Sequence, residues 1–239
     1  MKITKFTLGP PDSDGDMFGY AEITFENPTQ EIVRLVTMNS VVLGPLGFPV
    51  SSGRSDTEEC VMEPQDTHQG VISVPRMPVA LAGDDPSRVE VVVSATFHAR
   101  EFLKLGETDV PQAEHGWTTI EQAVSSRTIE SPVRVFVRRG DDSDDGTAIV
   151  EWRASLRNIA DYHIARVQLK CDLLDADDSV LESSNESISV DAGFVACVSD
   201  SFCSVRKGQL RGAKLKFTMS VFRPVHTATS RSTGSAAED

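Results

Sequence analysis

The sequence predicts an all-β protein made of two tandem antiparallel β-sandwich modules with a short linker between them. Three observations lead to this prediction: stretches in which apolar and polar residues alternate, turn residues every ~8–12 positions, and a faint repeat of the first module in the second. The alternation is clearest at Val150, Trp152, Ala154 and Leu156, which share one face of a strand while the polar residues between them share the other. Almost no stretch shows helical periodicity, which favours sandwiches of short strands.

The repeat becomes visible when the sequence is shifted by 131 positions. Gly146 then falls on Gly15 and Asn158 on Asn27, and strand-forming residues match in phase up to Leu43 without a gap. Acidic residues precede both glycines. Identity is low, so the joint match of turn residues and strand phase is what favours a tandem duplication.

Composition limits the classes of function. The chain has 239 residues and a net charge of −13, and its mean hydropathy is −0.19. The negative charge argues against nucleic acid as a partner, because phosphates would be repelled. No run of about 18 apolar residues could span a membrane. The first residues form a strand pattern rather than a secretion signal, so we expect a cytoplasmic protein.

Four cysteines occur, and none of them forms a C-x-x-C pair. Cys171 lies on the apolar phase of its strand, so we expect it to be buried as a small hydrophobic residue. Cys197 and Cys203 could form a disulfide if they fell on adjacent strands. In a cytoplasmic protein reduced thiols are the default.

Module one is predicted to span residues 1–103. Its strands are apolar and rich in β-branched residues, and turn signals such as Asn27-Pro28 separate them. The polar stretch from Ser51 to Glu59 is predicted to be a loop. The predicted strands are Thr4 to Leu8, Phe18 to Phe25, Ile32 to Leu43, Cys60 to Met62, Gln69 to Val74, and Val89 to Ala99.

The linker is predicted to span residues 104–132. Thr118-Thr119-Ile120-Glu121 matches a capping box, so we expect one short helix or turn there. Trp117 directly precedes it. An aromatic residue in such a position either packs into the groove between the modules or contacts a partner.

Module two is predicted to span residues 133–224 and to be followed by a disordered tail at residues 225–239. The tail is rich in Thr, Ser, Gly and Ala and ends in two acids, a composition typical of disorder. The predicted strands of module two are Val133 to Val137, Ala148 to Leu156, Val167 to Leu173, Val180 to Leu181, Ile188 to Val190, Phe194 to Val198, and Leu215 to Phe222.

The stretch from Val167 to Leu181 resembles a known family. Its strand, the turn Asp175-Ala176-Asp177-Asp178-Ser179 and the following Val180-Leu181 are similar to the hairpin of FxLYD-type and water-stress (LEA14-like) domains, and Asn158 is similar to the Asn that ends their preceding strand. Asp178 stands where the family has a turn Gly. The resemblance covers residues 133–222 and implies immunoglobulin-like or fibronectin-III-like sandwiches with a binding or structural role. It brings no catalytic residues.

An apolar loop is the best candidate for partner binding. Leu46, Phe48 and Val50 lie among the breakers Gly44, Pro45, Gly47 and Pro49, where apolar residues are unusual. An exposed Phe between Gly and Pro can anchor a partner. The same residues could instead fold back over the end of the sandwich. Trp117 is the second candidate contact.

Two acidic loops suggest a calcium site. Ca²⁺ takes six to eight oxygen ligands, and alternating aspartates supply them. The loops lack the Glu and the flanking helices of an EF-hand, and Asp-Gly is also a good hairpin turn. No cofactor is otherwise expected. The residues concerned are Asp12, Asp14, Asp16, Asp142 and Asp144.

These observations predict a non-enzymatic interaction or assembly protein, a subunit of a larger complex that binds protein partners or copies of itself. The alternative is a module that binds a small ligand or carbohydrate, or binds with calcium. The low aromatic content of 6% argues against sugar-stacking platforms. An enzyme is not expected, because no G-x-S-x-G, metal-binding histidine pair or phosphate-binding glycine loop occurs.

Overall fold

The computed structural model describes residues 1–82, 88–112, 116–142, 146–233 and 235–236. These residues form antiparallel strands, with one short parallel pairing at the end of the chain. The described residues include one helical turn, α1 at Val79–Ala82, and a 3-10 turn at Lys207–Leu210. No helix among the described residues has the length and hydropathy needed to cross a bilayer. The strands are β1 Lys2–Leu8, β2 Asp16–Glu26, β3 Val33–Leu43, β4 Pro49–Met62, β5 Thr67–Pro78, β6 Glu90–Asp109, β7 Thr118–Gln122, β8 Val133–Asp142, β9 Thr147–Arg157, β10 Ile164–Leu174, β11 Val180–Val190, β12 Val195–Arg206, β13 Lys214–Thr233 and β14 Ser235–Ala236.

The chain divides into two units. Unit 1 contains residues 1–100 and 224–239, and unit 2 contains residues 101–223. The chain therefore passes from unit 1 to unit 2 within β6 and returns within β13. The prediction of an all-β protein built from antiparallel sheets is confirmed.

Unit 1 has two sheets around one core. The first has the strand order β14–β1–β2–β5, and the second contains β4, β3 and the unit 1 portions of β6 and β13. Phe6, Phe25 and Phe97 are buried between the sheets, and the ring of Phe25 meets that of Phe97 edge to face at 6.1 Å. Alternation along each strand supplies this core, because every second side chain faces inward.

Unit 2 repeats the arrangement. One sheet has the order β12–β9–β8–β7, and the other contains β11, β10 and the unit 2 portions of β13 and β6. Trp152 is fully buried and meets Phe217 edge to face at 5.8 Å. Cys171 is also fully buried, as predicted from its phase.

Several features of unit 1 recur in unit 2 at the spacing seen in the sequence. Both ends of β2 and of β3 lie 131 positions before the ends of β9 and β10. Asn27 and Asn158 are both fully buried. The amide of Asn27 donates to the carbonyls of Glu31 and Met62, and that of Asn158 donates to the carbonyls of Tyr162 and Val190. Each Asn thus closes the same corner of its unit.

The predicted polar loop at Ser51 to Glu59 is wrong, because β4 runs through it. β4 pairs with β3 on one side only and forms the edge of its sheet. An edge strand needs few apolar side chains, and charges along it discourage pairing with other chains. The polar composition therefore indicated an edge rather than a loop.

The predicted linker at residues 104–132 is also wrong, since these residues belong to unit 2. Leu105, Val110 and Ile129 are buried in its core. The expected helix at Thr118 to Glu121 is strand β7, in which Ile120 pairs with Val135. β-branched residues suit a strand, and the pairing with β8 outweighs the local capping pattern.

The predicted disordered tail is ordered in its first part. Residues 224–233 complete β13 within unit 1, where Val225 and Ala228 pack against the core. The hydroxyl of Thr229 lies 3.2 Å from that of Ser94, and the hydroxyl of Thr227 lies 3.3 Å from that of Thr96. Backbone pairing with β6 orders a segment whose composition alone is typical of disorder. Residues 234 and 237–239 of the predicted tail lie outside the described residues.

Candidate functional site

The predicted apolar loop is the tight turn between β3 and β4. Gly44 N–H donates to the Phe48 carbonyl at 3.0 Å, and Gly47 N–H donates to the Gly44 carbonyl at 2.8 Å. Gly47 has φ of +78°, a conformation that a residue with a Cβ seldom adopts. Leu46 is 83% exposed and Phe48 is 69% exposed. Neither side chain folds back over the sandwich.

Val50, the third residue of the predicted apolar loop, is less exposed than Leu46 and Phe48. Its side chain is half-buried and packs against the core of unit 1. A Cβ on Gly44 would lie only 2.9 Å from Val50 Cγ1, so the absence of a side chain at Gly44 leaves room for it. Val50 therefore supports the turn from the core side, and of the three predicted residues Leu46 and Phe48 remain available to a partner.

Helix α1 adds apolar side chains to the same end of unit 1. The Leu81 carbonyl lies 3.3 Å from the position of a Cβ on Gly44. Val79 is 39% exposed and Leu81 is 46% exposed. We call Leu46, Phe48, Val79 and Leu81 together the apolar end. The contribution of α1 was not foreseen, because Val79 to Leu81 show no periodicity of their own, although they follow Pro78, a turn signal.

Unit 2 contains the same turn with polar residues. Asp175 N–H donates to the Ser179 carbonyl at 2.9 Å and Asp178 N–H donates to the Asp175 carbonyl at 3.2 Å, so both bonds of the unit 1 turn recur 131 positions later. Asp178, at the position equivalent to Gly47, also has a positive φ, of +62°. Asp177 and Ser179 stand where unit 1 has Leu46 and Phe48. The turn itself therefore does not require apolar side chains.

Trp117 lies immediately before β7 in unit 2 and is 37% exposed. Its ring is 4.9 Å from the guanidinium carbon of Arg138 and 4.6 Å from that of Arg153. Arg138 also forms a two-pronged ion pair with Glu151, with Nε to Oε2 at 2.5 Å and Nη2 to Oε1 at 2.9 Å. This hydrogen bonding lowers the pKa of the Glu151 carboxyl, although partial burial opposes the shift. Trp117 thus covers two arginines of its own unit.

The first acidic loop uses the carboxylate of its first residue, Asp12, to hold a turn. Asp12 Oδ1 accepts the backbone N–H groups of Asp14 at 2.9 Å and Asp16 at 3.0 Å. The bond from Asp16 is the main reason why the pKa of Asp12 is lowered. Among the residues that the structure describes, no group of three or more His, Cys, Asp or Glu side chains could hold a metal. In the second loop Asp144 lies outside the described residues, as does the side chain of Asp142.

The cysteines are all free thiols. Cys197 and Cys203 are exposed and lie on the same strand, β12, so they cannot bridge within one chain. Burial, with the charge of Glu58 as a smaller cause, raises the pKa of the half-buried Cys60 to about 11. Burial also raises the pKa of Cys171 far above its ordinary value, and the charges of Asp172 and Asp200 add to this. At neutral pH these two thiols are protonated and poorly nucleophilic.

The known proteins that this chain resembles are distant from it. No protein-family model and no curated protein matches the chain. It is similar to a conserved hypothetical protein from Bacillus anthracis, with 13% identity over 48% of this chain and 100% of that chain and a TM-score of 0.30. It is similar to part of beta-glucuronidase 2 from Bacteroides uniformis, with 11% identity over 94% of this chain and 27% of that chain and a TM-score of 0.33.

A third similar structure is the transglutaminase of red sea bream, with 10% identity over 99% of this chain and 32% of that chain and a TM-score of 0.23. The chain spans about a third or less of the length of both enzymes. Identities this low carry over no activity, substrate or partner. What the strands and sheets themselves establish is an all-β protein of sandwich type.

Proposed function

We propose that this protein is a non-enzymatic protein-binding or assembly subunit and that the apolar end of unit 1 is its docking surface. The observation that carries the proposal is the exposure of Leu46 and Phe48 at a turn that does not require them. Exposing two large apolar side chains has a cost in solubility, and a partner that buries them recovers about 1.5–3 kcal/mol for each.

The comparison between the two turns makes the proposal specific. Unit 2 has Asp177 and Ser179 at the equivalent tip, and the same two backbone hydrogen bonds form there. Unit 1 therefore has apolar residues for a reason other than the geometry of the turn. Clustered large side chains at the centre of an interface commonly contribute most of the binding energy.

The proposal includes the finer features of the sequence prediction. The repeated strand bounds and the two matching Asn corners support two immunoglobulin-like or fibronectin-III-like sandwiches that arose by tandem duplication. The turn at Asp175 to Ser179 supports the resemblance to FxLYD-type domains. Free, exposed thiols fit the reducing conditions of the cytoplasm.

The test replaces the two exposed residues of the unit 1 turn, Leu46 and Phe48, by the residue types found at the equivalent positions of unit 2. Tagged wild-type protein and the double variant Leu46→Asp with Phe48→Ser are expressed in the native host, cross-linked in cells and purified under denaturing conditions. Because both side chains are exposed, we expect an unchanged melting temperature but at least a tenfold loss of a stoichiometric cross-linked partner. Quantitative mass spectrometry measures the loss.

The matched control is Val180→Ser, which removes an exposed apolar side chain beside the equivalent turn of unit 2. Val180 is 59% exposed. This variant should retain the partner in full. Recovery of the same partners at the same yield by wild type and by the double variant would refute the docking surface.

A further inference from the structure

The free edge of β12 is an interaction surface of a different kind. We propose that β12 pairs with β12 of a second copy of this chain, antiparallel and about a two-fold axis at Asp200, so that Cys197 of one copy lies opposite Cys203 of the other. The proposal concerns unit 2 and does not depend on the apolar end of unit 1.

The position of β12 leaves one side of the strand open. β12 is the last strand of its sheet and pairs with β9 alone among the described strands. The carbonyl of Phe194 accepts the N–H of Asn158, so even-numbered residues of this segment face β9. Backbone groups alternate in direction along an antiparallel strand. The N–H and C=O groups of Cys197, Ser199 and Ser201 therefore point to the open side, and Cys203 follows at the start of the irregular stretch between Phe202 and Val205.

The other sheet edges carry features that discourage pairing along their length, whereas β12 has them only at its end: its register with β9 shifts between Phe202 and Val205 and the strand ends at Arg206, but Val195 to Phe202 pair with β9 without interruption. Charged side chains, prolines, bulges and short length are the usual protection of an edge. Across Val195 to Cys203 the one charged residue is Asp200, and its carboxylate accepts a hydrogen bond from Ser184 on β11 of the same unit. Among the other described edge strands, β4 carries the charged Asp56, Glu58 and Glu59, and β11 carries Glu182 and Glu186. β5 contains Pro75 and Pro78. β7 and β14 are short, with five and two residues.

The outward row of β12 is self-complementary, and this identifies the second strand as a copy of the first. The row reads Cys197, Ser199, Ser201, Cys203, the same in both directions. A two-fold interface requires that residue i meets j while j meets i. With Asp200 on the axis, cysteine meets cysteine and serine meets serine, and the two central serines present their backbone groups to each other.

The register also brings the thiols within reach of each other. Directly opposed residues in an antiparallel pair have Cα atoms about 4.5–5.5 Å apart, whether or not the two residues exchange hydrogen bonds. Disulfides span Cα separations of about 4.4–6.8 Å. Within one chain Cys197 and Cys203 are six residues apart on a strand, about 20 Å, which is far too long. A disulfide between them is therefore a specific sign of pairing between two copies.

The first experiment uses Cys197→Ser and Cys203→Ser separately and as an equimolar mixture. Diamide is added as oxidant, and it accepts the two electrons and two protons that a pair of thiols releases on forming a disulfide. Each single variant alone places cysteine opposite serine, so we expect no cross-linked dimer. The mixture should form dimer up to the statistical share of mixed pairs, joined by Cys197 and Cys203 in peptide mapping. Equal cross-linking in a single variant and the mixture, or none in the mixture, would overturn the register.

The second experiment measures association under reducing conditions by analytical ultracentrifugation. Ser199→Pro removes an N–H that faces the open side, while Ser199→Ala keeps it, and neither change removes a bond to β9. We expect dimer formation at high concentration in the wild type and Ser199→Ala, and monomer in Ser199→Pro. A monomeric wild type at every concentration would overturn the proposal.

The axis at Asp200 provides a third, independent readout. Two carboxylates oppose each other there, and like charges directly across a strand pair oppose association. Asp200→Asn keeps an oxygen that can accept the Ser184 hydroxyl but removes the charge. We expect the dimer Kd to fall by roughly two- to fivefold. An unchanged or higher Kd would place the axis elsewhere.

Discussion

Glu151 and Arg138 form a two-pronged ion pair that joins β8 to β9. The guanidinium of Arg138 lowers the pKa of the Glu151 carboxyl, so this carboxylate is more stable in the folded than in the unfolded chain. Its contribution to stability is fully present above the ordinary glutamate pKa of about 4.3 and is lost as the pH falls through the lower folded-state value. We expect Glu151→Gln to lower the free energy of unfolding by about 0.5–1 kcal/mol at pH 7.

The measurement is urea unfolding at several pH values between 7 and 3. The difference between wild type and Glu151→Gln should begin to shrink below about pH 4.3 and disappear below the lower folded-state pKa of Glu151, where both proteins carry an uncharged side chain at this position. Glu186→Gln on β11 removes the same charge from the same unit and serves as the control. A difference between wild type and Glu151→Gln that stays constant over the pH range would contradict the assigned role of the ion pair.

At the scale of secondary-structure elements, Asn158 ties the turn after β9 to the end of β11. The side-chain amide donates to the carbonyls of Tyr162 at 2.8 Å and Val190 at 3.1 Å, and its oxygen accepts the N–H of Ala160 at 2.9 Å. Asn158→Ala leaves these groups without partners inside a buried site. We expect the free energy of unfolding to fall by about 2–4 kcal/mol.

Tryptophan fluorescence measures this change, since Trp117 and Trp152 both belong to unit 2. Asn185→Ala on β11 is the control, because Asn185 is exposed and should change stability by less than about 0.5 kcal/mol. Equal stability of the two variants would show that the buried amide contributes no more than a surface one.

At the scale of the whole molecule, the last strand of the chain is part of unit 1, which is formed mainly by the first hundred residues. Residues 224–233 of β13 supply a strand to unit 1, and Ile3 N–H donates to the hydroxyl of Ser230 at 3.2 Å. Deleting residues 224–239 leaves β6 without this neighbour and uncovers part of the core. We expect much faster hydrogen exchange at residues 90–100, while β9 and β10 keep their protection.

Hydrogen-exchange mass spectrometry resolves these segments directly. Deleting only residues 237–239 is the control, because it leaves every described strand in place. Unchanged protection of residues 90–100 in the longer deletion would mean that the last strand does not stabilise unit 1.

Particular residues show which structural features could be predicted from the sequence and which could not. Trp152 was assigned to the apolar face of its strand and Cys171 was predicted to be buried, and both are fully buried, because strict alternation assigns each residue to a face. Leu46 and Phe48 could be selected as unusual, but the sequence left open whether they fold back over the sandwich. The polar β4, the Thr-rich end of β13 and β7 were missed because their order comes from pairing with distant strands.

By itself, the sequence determined the class of the protein and the phase of its inner strands, since a period of two and well-placed turn residues act locally. It also revealed the 131-residue spacing at which strand bounds and buried asparagines recur. Only the tertiary structure decided which segment pairs with which, that the chain returns to unit 1 at its end, and that β12 has an open side. The physical reason is that backbone pairing is non-local: a strand's hydrogen bonds depend on a neighbour that its own residues do not specify.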